Sequence, residues 1–257
     1  LFPVFQALGP AQVHLFGASD EVARHDVVVE LVRSGKIALH EESLAWAFQR
    51  GSEQGFVRLG PPPDWDEAGR RVSLKNRTIS IPRDLWNRIT TSATLLDDET
   101  LASPTPVSDD ARFWEFRRFL FECGSRPLWS GYARGFAFRR HFEERLRALT
   151  LQCLTHEVPA DEPIIVHGQT GTGKTVALGA LAYETAKSGH HPVLFIERKT
   201  QRPNYADVDQ CCQWLEDHGA PATLVVGDGM VQPSEYYDLQ GFLASRGRKV
   251  VLVGSCY

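Results

Sequence analysis

The sequence predicts an α/β protein: a parallel sheet with flanking helices in the C-terminal part, preceded by a smaller α/β connector unit. Two observations carry this. From Pro163 onward four apolar runs alternate with helical patterns, as strands covered on both faces by crossover helices do. The first run, Pro163-Ile-Ile-Val-His167, leads directly into Gly168-Gln-Thr-Gly-Thr-Gly173-Lys174-Thr175, which opens the helical pattern from Val176. Two glycines with four residues between them, followed by Lys-Thr, form a phosphate-binding loop in its strand–loop–helix setting.

Taken in order, Gln12 to Phe16 is strand-like, Glu21 to Ser34 is helical in pattern, and Gly35 is its stop. Ile37 to His40 is a second strand, with a helix around Ser43 to Arg50. Phe56 to Leu59, Arg71 to Leu74 and Thr78 to Ile81 read as short strands, and Pro61 to Asp64 as a turn between the first two. Pro82 opens a helix through Asp84, Leu85 and Ile89. Residues 1–96 therefore form the connector, and the polar stretch 97–110, holding Ser103-Pro-Thr-Pro106, reads as a linker. Residues 111–160 are a helical lead-in rich in arginine and aromatics. Phe113, Phe116 and Leu120 make one expected apolar stripe there, and Phe138, Phe142, Leu146, Leu149 and Cys153 another. In 161–257, helices are expected at 174–188, from Tyr205 to His218 and from Ser234 to Ser245. The strands between them are Pro192 to Ile196, Ala222 to Val226 and Val250 to Val253.

Composition narrows the class. The 257 residues are 42% hydrophobic and 23% charged, with a net charge of −4, which argues against a general nucleic-acid binder. No apolar run reaches membrane-spanning length, and the start lacks the shape of a signal peptide. The five cysteines are odd in number and have no CxxC spacing, so a cytoplasmic, reduced protein with no membrane partner is expected. Cys211 and Cys212 are helix neighbours that point different ways, and His14, His25 and His40 are scattered, so neither set proposes a metal. The chain opens at Leu1 and closes at Tyr257 just after an apolar strand, so it is expected to be a piece of something longer.

The loop carries the chemistry of a P-loop NTPase sheet. Main-chain amides across Gly168, Thr170, Gly171, Thr172, Gly173, Lys174, Thr175 and Val176 face a phosphate, because glycine permits the turns and the helix start adds its unpaired N–H groups. Lys174 neutralises β- and γ-phosphate charge, and the Thr175 hydroxyl ligates Mg²⁺. Asp228 caps the strand that ends at Val226, beside the phosphate-loop strand, where a second magnesium-holding group belongs; the plainer reading is a turn aspartate in Asp228-Gly229. Lys174 and Asp228 are the catalytic candidates, and Ser255 ends the fourth strand, where related enzymes put a polar residue that senses the γ-phosphate. Gly229 stands where a water-activating Glu would follow Asp228, and Glu235 and Asp238 are too far along to replace it. Nine arginines against four glutamates between Ala111 and Arg147 admit three readings. They form a solvated helix face, a contact with nucleotide or a neighbouring protomer, or a nucleic-acid surface with interleaved aromatics.

Three features together resemble the STAND group (signal-transduction ATPases with numerous domains), the class of NLR-type immune receptors. They are Phe138-Arg139-Arg140…Phe142…Leu146, GQTGTGKT, and Leu224-Val-Val-Gly-Asp228. The resemblance implies that Phe138 and Arg139 neighbour the nucleotide on its base side. Phe116-Arg-Arg-Phe-Leu120, Pro127-Leu-Trp129 and Gly135-Phe136 are similar to the lead-in of bacterial STAND proteins that follow a sirtuin-like NADase effector in antiphage defence. There, NTP-bound protomers assemble and the effector depletes NAD. Gln12-Val-His-Leu-Phe16 and the α/β stretch that follows resemble the connector of such proteins, residues 1–110 being covered only loosely, and no sirtuin catalytic motif, winged helix or sensor repeat is present in these 257 residues.

The leading reading is thus a switch that binds ATP or another NTP with Mg²⁺. It assembles as a homo-oligomer through the NTPase region and works with effector and sensor domains of one longer chain. An AAA+-type motor, DNA-associated in one variant, is the alternative, and a scaffold that nucleotide merely stabilises is the third. With Gly229 at the base position, unaided steady-state hydrolysis should run well below the roughly 10 s⁻¹ typical of enzymes. Turnover of several per second, on the order expected of that typical range, would favour the motor.

Overall fold

The four expected C-terminal strands pair into one sheet in the computed structural model, which describes residues 13–16, 37–40, 70–75, 77–124, 126–197, 203–229 and 232–256. Contacts divide the chain into two compact units, 1–65 and 66–257. In the first, β1 (Val13–Phe16) and β2 (Ile37–His40) run parallel, with Val13 opposite Ile37. The expected helices at 21–34 and 43–50 and the strand at 56–59 lie outside the described residues.

The second unit opens with an antiparallel hairpin, β3 (Arg70–Leu74) and β4 (Arg77–Ile81), then α1 (Arg83–Ile89) and a two-residue strand, β5 (Thr94–Leu95). Three helices follow: α2 (Asp109–Glu122), α3 (Trp129–Ala133) and α4 (His141–Leu154). Strand and helix then alternate through β6 (Ile164–His167), α5 (Lys174–Lys187), β7 (Val193–Ile196), α6 (Tyr205–Asp217), β8 (Thr223–Gly227), α7 (Pro233–Ser245) and β9 (Val250–Cys256).

The sheet order is β5-β7-β8-β9-β6, with β5 antiparallel to its neighbour and all other pairs parallel. Side chains alternate across it with period two. Val193, Phe195, Leu224, Val226, Val251 and Val253 pack with Leu178 and Leu181 of α5 and Leu146 and Leu154 of α4. Leu194, Ile196, Val225, Val250 and Leu252 pack on the other face with Val208 and Leu215 of α6 and Leu239 and Leu243 of α7. Both faces are dry, so these strands are near-continuous apolar runs. Cys211 and Cys212 are wholly buried in the second layer, where burial pushes the Cys211 thiol up to about 12 and raises Cys212 as well. Among the described residues no helix is long and apolar enough to cross a membrane.

Three expectations need correction. β8 is not beside the phosphate-loop strand: β9 lies between β8 and β6. The boundary placed after residue 96 falls inside the second unit, because the hairpin and α1 contribute Val72, Ile79, Ile81, Leu85 and Ile89 to the sheet's core and β5 pairs with β7. The stretch 97–110 is not a free linker. Asp97 is buried, accepting from Thr100 N (2.8 Å) and Arg70 Nη1 (3.1 Å), and Asp98 accepts from Ser73 N (2.8 Å). Asp109 and Asp110 already form the first turn of α2, which Ser108 caps.

Because residues 70–96 belong to that core, Leu95→Ala should destabilise the whole second unit by about 2–5 kcal/mol, read as a lower denaturant midpoint for the sheet-containing transition. A transition unmoved by the substitution would return the segment to the connector.

Candidate nucleotide site

The site begins with backbone geometry. Between β6 and α5 the chain turns through Gly171 (φ +82°) and Gly173 (φ +87°), left-handed values that a side chain resists. Gly173 is the N-cap of α5, so the unpaired amides of the first helical turn face the loop's concavity. Within the loop, Thr172 Oγ1 donates to Gln169 O (2.9 Å). Lys174 is buried, and its Nζ donates to Gly168 O (2.6 Å) and Gln169 O (2.9 Å). These carbonyl oxygens stand where phosphate oxygens would compete for the ammonium group.

One helical residue further, Thr175 Oγ1 donates to Asp228 Oδ1 at 3.0 Å. Ser255 Oγ, at the tip of β9, donates to the same oxygen at 3.2 Å. Strand alternation explains the convergence: Asp228 and Ser255 each follow by two an inward-facing valine, Val226 and Val253, on the α5 side of the sheet. Asp228 and Ser255 are both buried, and a buried carboxylate is tolerable when hydroxyls satisfy it. The structure thus brings Lys174, Thr175, Asp228 and Ser255 together, with β9 and its serine filling the gap between the loop strand and β8.

A cleft of about 390 Å³ opens over the loop, reaching Thr170, Gly171, Gly173, Lys174, Thr175 and Val176. Its other wall is Phe119, Leu120, Cys123, Phe138 and Arg140 from the lead-in segment. Phe138 lines this wall, although it precedes α4 instead of starting the apolar stripe of that helix. Arg139 is exposed and is not among the lining residues; Arg140 takes that place. The backbone at Arg140 is extended (φ −111°, ψ 151°), so adjacent side chains point opposite ways. A Cβ on Gly173 would meet Arg140 Nε at 2.7 Å, which places a second cation directly over the loop. The sequence signal for this was Glu143: its Oε1 accepts from Arg140 N (2.9 Å) and sets the helix start one residue later.

The stripe expected on α2 is also rearranged. Phe113 and Leu120 are exposed, and the buried residue is Phe119, edge-on to Tyr132 (5.2 Å between ring centroids) and Phe136 (6.1 Å). The burial follows from α3, whose Tyr132 occupies the space between α2 and α5. Several arginines of this segment are ion-paired: Arg118 and Arg126 with Glu122, Arg134 with Glu115, and Arg147 with Glu143 and Glu184. Arg126, and then Arg118, hold the Glu122 carboxyl below its ordinary range. A further acidic group was not anticipated. Glu197 and Asp228 each lie one residue beyond Ile196–Gly227, the last pair of the β7–β8 ladder, and Glu197 accepts from Thr94 Oγ1 at 3.3 Å.

A parallel sheet covered on both faces, a glycine loop capping a helix, and a Lys, a Thr and a strand-tip carboxylate in one cluster define a P-loop NTPase. The family model for novel STAND NTPase 5 matches residues 120–256, more than half of the chain, and the chain belongs to that family. It is accordingly a nucleotide-binding NTPase of the STAND class, a class that uses nucleotide with Mg²⁺. No curated protein matches it. Among solved structures, one of C. elegans PCH-2 is similar at a TM-score of 0.32 and 18% identity, over 44% of this chain and 34% of that one. The match spans about a third of that protein.

Charged hydrogen bonds contribute about 1.5–3 kcal/mol each, so Arg140→Ala should weaken Mg-ATP binding roughly ten- to a hundredfold. Arg139→Ala should leave the dissociation constant within about twofold, the range of ordinary surface substitutions. Calorimetric titration of both variants distinguishes the two arginines, and equal losses would refute the assignment.

Proposed function

We propose that this chain is the nucleotide-operated switch of a larger bacterial antiphage defence protein, in which NTP-bound protomers assemble through the NTPase region. The observation that carries the switch is the 3.0 Å contact from Thr175 to Asp228, which ties the phosphate loop to the tip of β8. A hydroxyl and a carboxylate are hard oxygen donors of the kind Mg²⁺ takes alongside phosphate oxygens, so the donor set fits the ion. Thr175 and Asp228 would hold it, and it would supply charge neutralisation at the β- and γ-phosphates.

The chain's own groups do the rest. Lys174 exchanges its two carbonyl acceptors for phosphate oxygens. The amides from Gly168 to Val176, with Thr170, Gly171, Thr172 and Gly173 between them, cradle the same anion, and Arg140 adds a cation from the lead-in. Phe138 covers the base side, and Ser255, bonded to Asp228, reports whether the terminal phosphate is present. Gly229 leaves the position after Asp228 without a base, which supports slow turnover unless a partner supplies one.

Assembly is supported by the outer face of α2, where Phe113, Trp114 and Phe121 are 56%, 45% and 78% exposed. Arg117 lies over the indole of Trp114 at 4.9 Å. An apolar helix face of this kind suits a contact between protomers. The defence role itself is supported by the likeness of Phe116 to Leu120, Pro127 to Trp129 and Gly135-Phe136 to the lead-in of such proteins.

Lys174→Ala tests the switch. Nucleotide binding should fall below detection, and nucleotide-dependent assembly, followed by sedimentation velocity with and without Mg-ATP, should be lost with it. Assembly and thermal stability that persist unchanged while binding vanishes would sink the reading.

A further inference from the structure

The β8–β9 ladder ends at the pair Gly227–Gly254, and the next residue on each strand is a member of the site: Asp228 and Ser255. A ladder that stops inside the protein leaves backbone groups to be satisfied. One side chain does this. Ser255 N donates to Tyr236 Oη at 3.1 Å, and the Tyr236 hydroxyl, with its single proton, faces Ser255 O (2.8 Å) and Gly227 O (3.0 Å).

Tyr236 comes from α7, has 0% exposure, and lies on the sheet face opposite Asp228 and Ser255. Alternation puts both glycines on the tyrosine's side. A Cβ at Gly254 would meet the ring's Cε1 at 2.1 Å, so the ring lies flush against the backbone at the strand tip. In the paired sequences Val226-Gly227-Asp228 and Val253-Gly254-Ser255 the polar residue after each glycine turns to the opposite face, and at Gly254 the missing Cβ admits the ring.

We propose that Tyr236 is a positioning residue: it clamps the tips of β8 and β9 so that Asp228 and Ser255 stay at the separation in which one carboxylate oxygen takes both the Ser255 and the Thr175 hydroxyls. This rests on the assignment of Asp228 to Mg²⁺ above. It also makes α7 the element that follows the geometry of the magnesium side of the site, since the clamp is its own side chain.

The test uses ATP titrated calorimetrically against the whole chain, once with Mg²⁺ and once with EDTA, for wild type, Tyr236→Phe, Asp228→Asn and Tyr205→Phe. Tyr205 Oη donates to Glu235 O (3.4 Å), a bond made to α7 itself and not to a strand backbone, which makes it the matched control. Outer groups that orient metal ligands typically contribute ten- to a hundredfold to metal affinity. Tyr236→Phe should therefore reduce the Mg²⁺-dependent gain in ATP affinity by about tenfold, with the EDTA affinity unchanged and Tyr205→Phe like wild type. Gly254→Ala, which displaces the ring, should reproduce the loss. A Tyr236→Phe protein that melts earlier but keeps the full Mg²⁺ gain shows an ordinary core tyrosine and overturns the proposal. Full gain in Asp228→Asn would instead remove the magnesium assignment, and the clamp's role with it.

Discussion

One oxygen atom organises the functional end of this molecule. Asp228 Oδ1 accepts a hydroxyl from the first turn of α5 and another from the tip of β9, so three segments distant in sequence meet at a single buried acceptor. A carboxylate in such a place is costly without donors, and satisfying it holds the helix start, the loop and two strand tips in one arrangement. The phosphate loop is then positioned by the sheet and not only by its own glycines. Anything that changes the charge seen by Asp228 is felt at Thr175 and Ser255 together.

The sheet supplies the stiffness behind that arrangement. Strict alternation of the buried residues on β7, β8 and β9 locks each strand's register, since a slip of one residue would turn every core side chain to the wrong face. The same alternation directs Asp228 and Ser255 to the α5 face and the two glycines to the α7 face. Chemistry and support are thereby divided between the two sides of one sheet.

The lead-in segment closes the site from the other direction. α2 and α3 pack aromatic rings against α5, and the extended residues before α4 place Phe138 and Arg140 over the loop. The cleft therefore has a main-chain floor that suits phosphate and an aromatic, cationic wall from a different part of the chain. Movement of the lead-in relative to the loop would change both at once. The proposed switch would use that coupling to communicate nucleotide occupancy.

What was legible in the sequence was local. The loop, its strand and its helix are set by neighbouring residues, because glycine's backbone freedom, the Lys-Thr pair and the period of apolar residues all act within a few positions. The strands and helices of 163–256 were readable within a residue or two, apart from the extension of β9 to Cys256. The tertiary structure decided which elements become neighbours. That β9 separates β8 from β6, that Thr94 and Leu95 form an edge of the same sheet, and that Asp97 is buried depend on contacts far apart in sequence. So does the choice of Arg140 over Arg139, since the point where α4 begins determines which of two adjacent arginines faces the loop. Composition and periodicity state what each segment prefers; long-range packing, which must satisfy every buried carboxylate and strand edge at once, selects the partners.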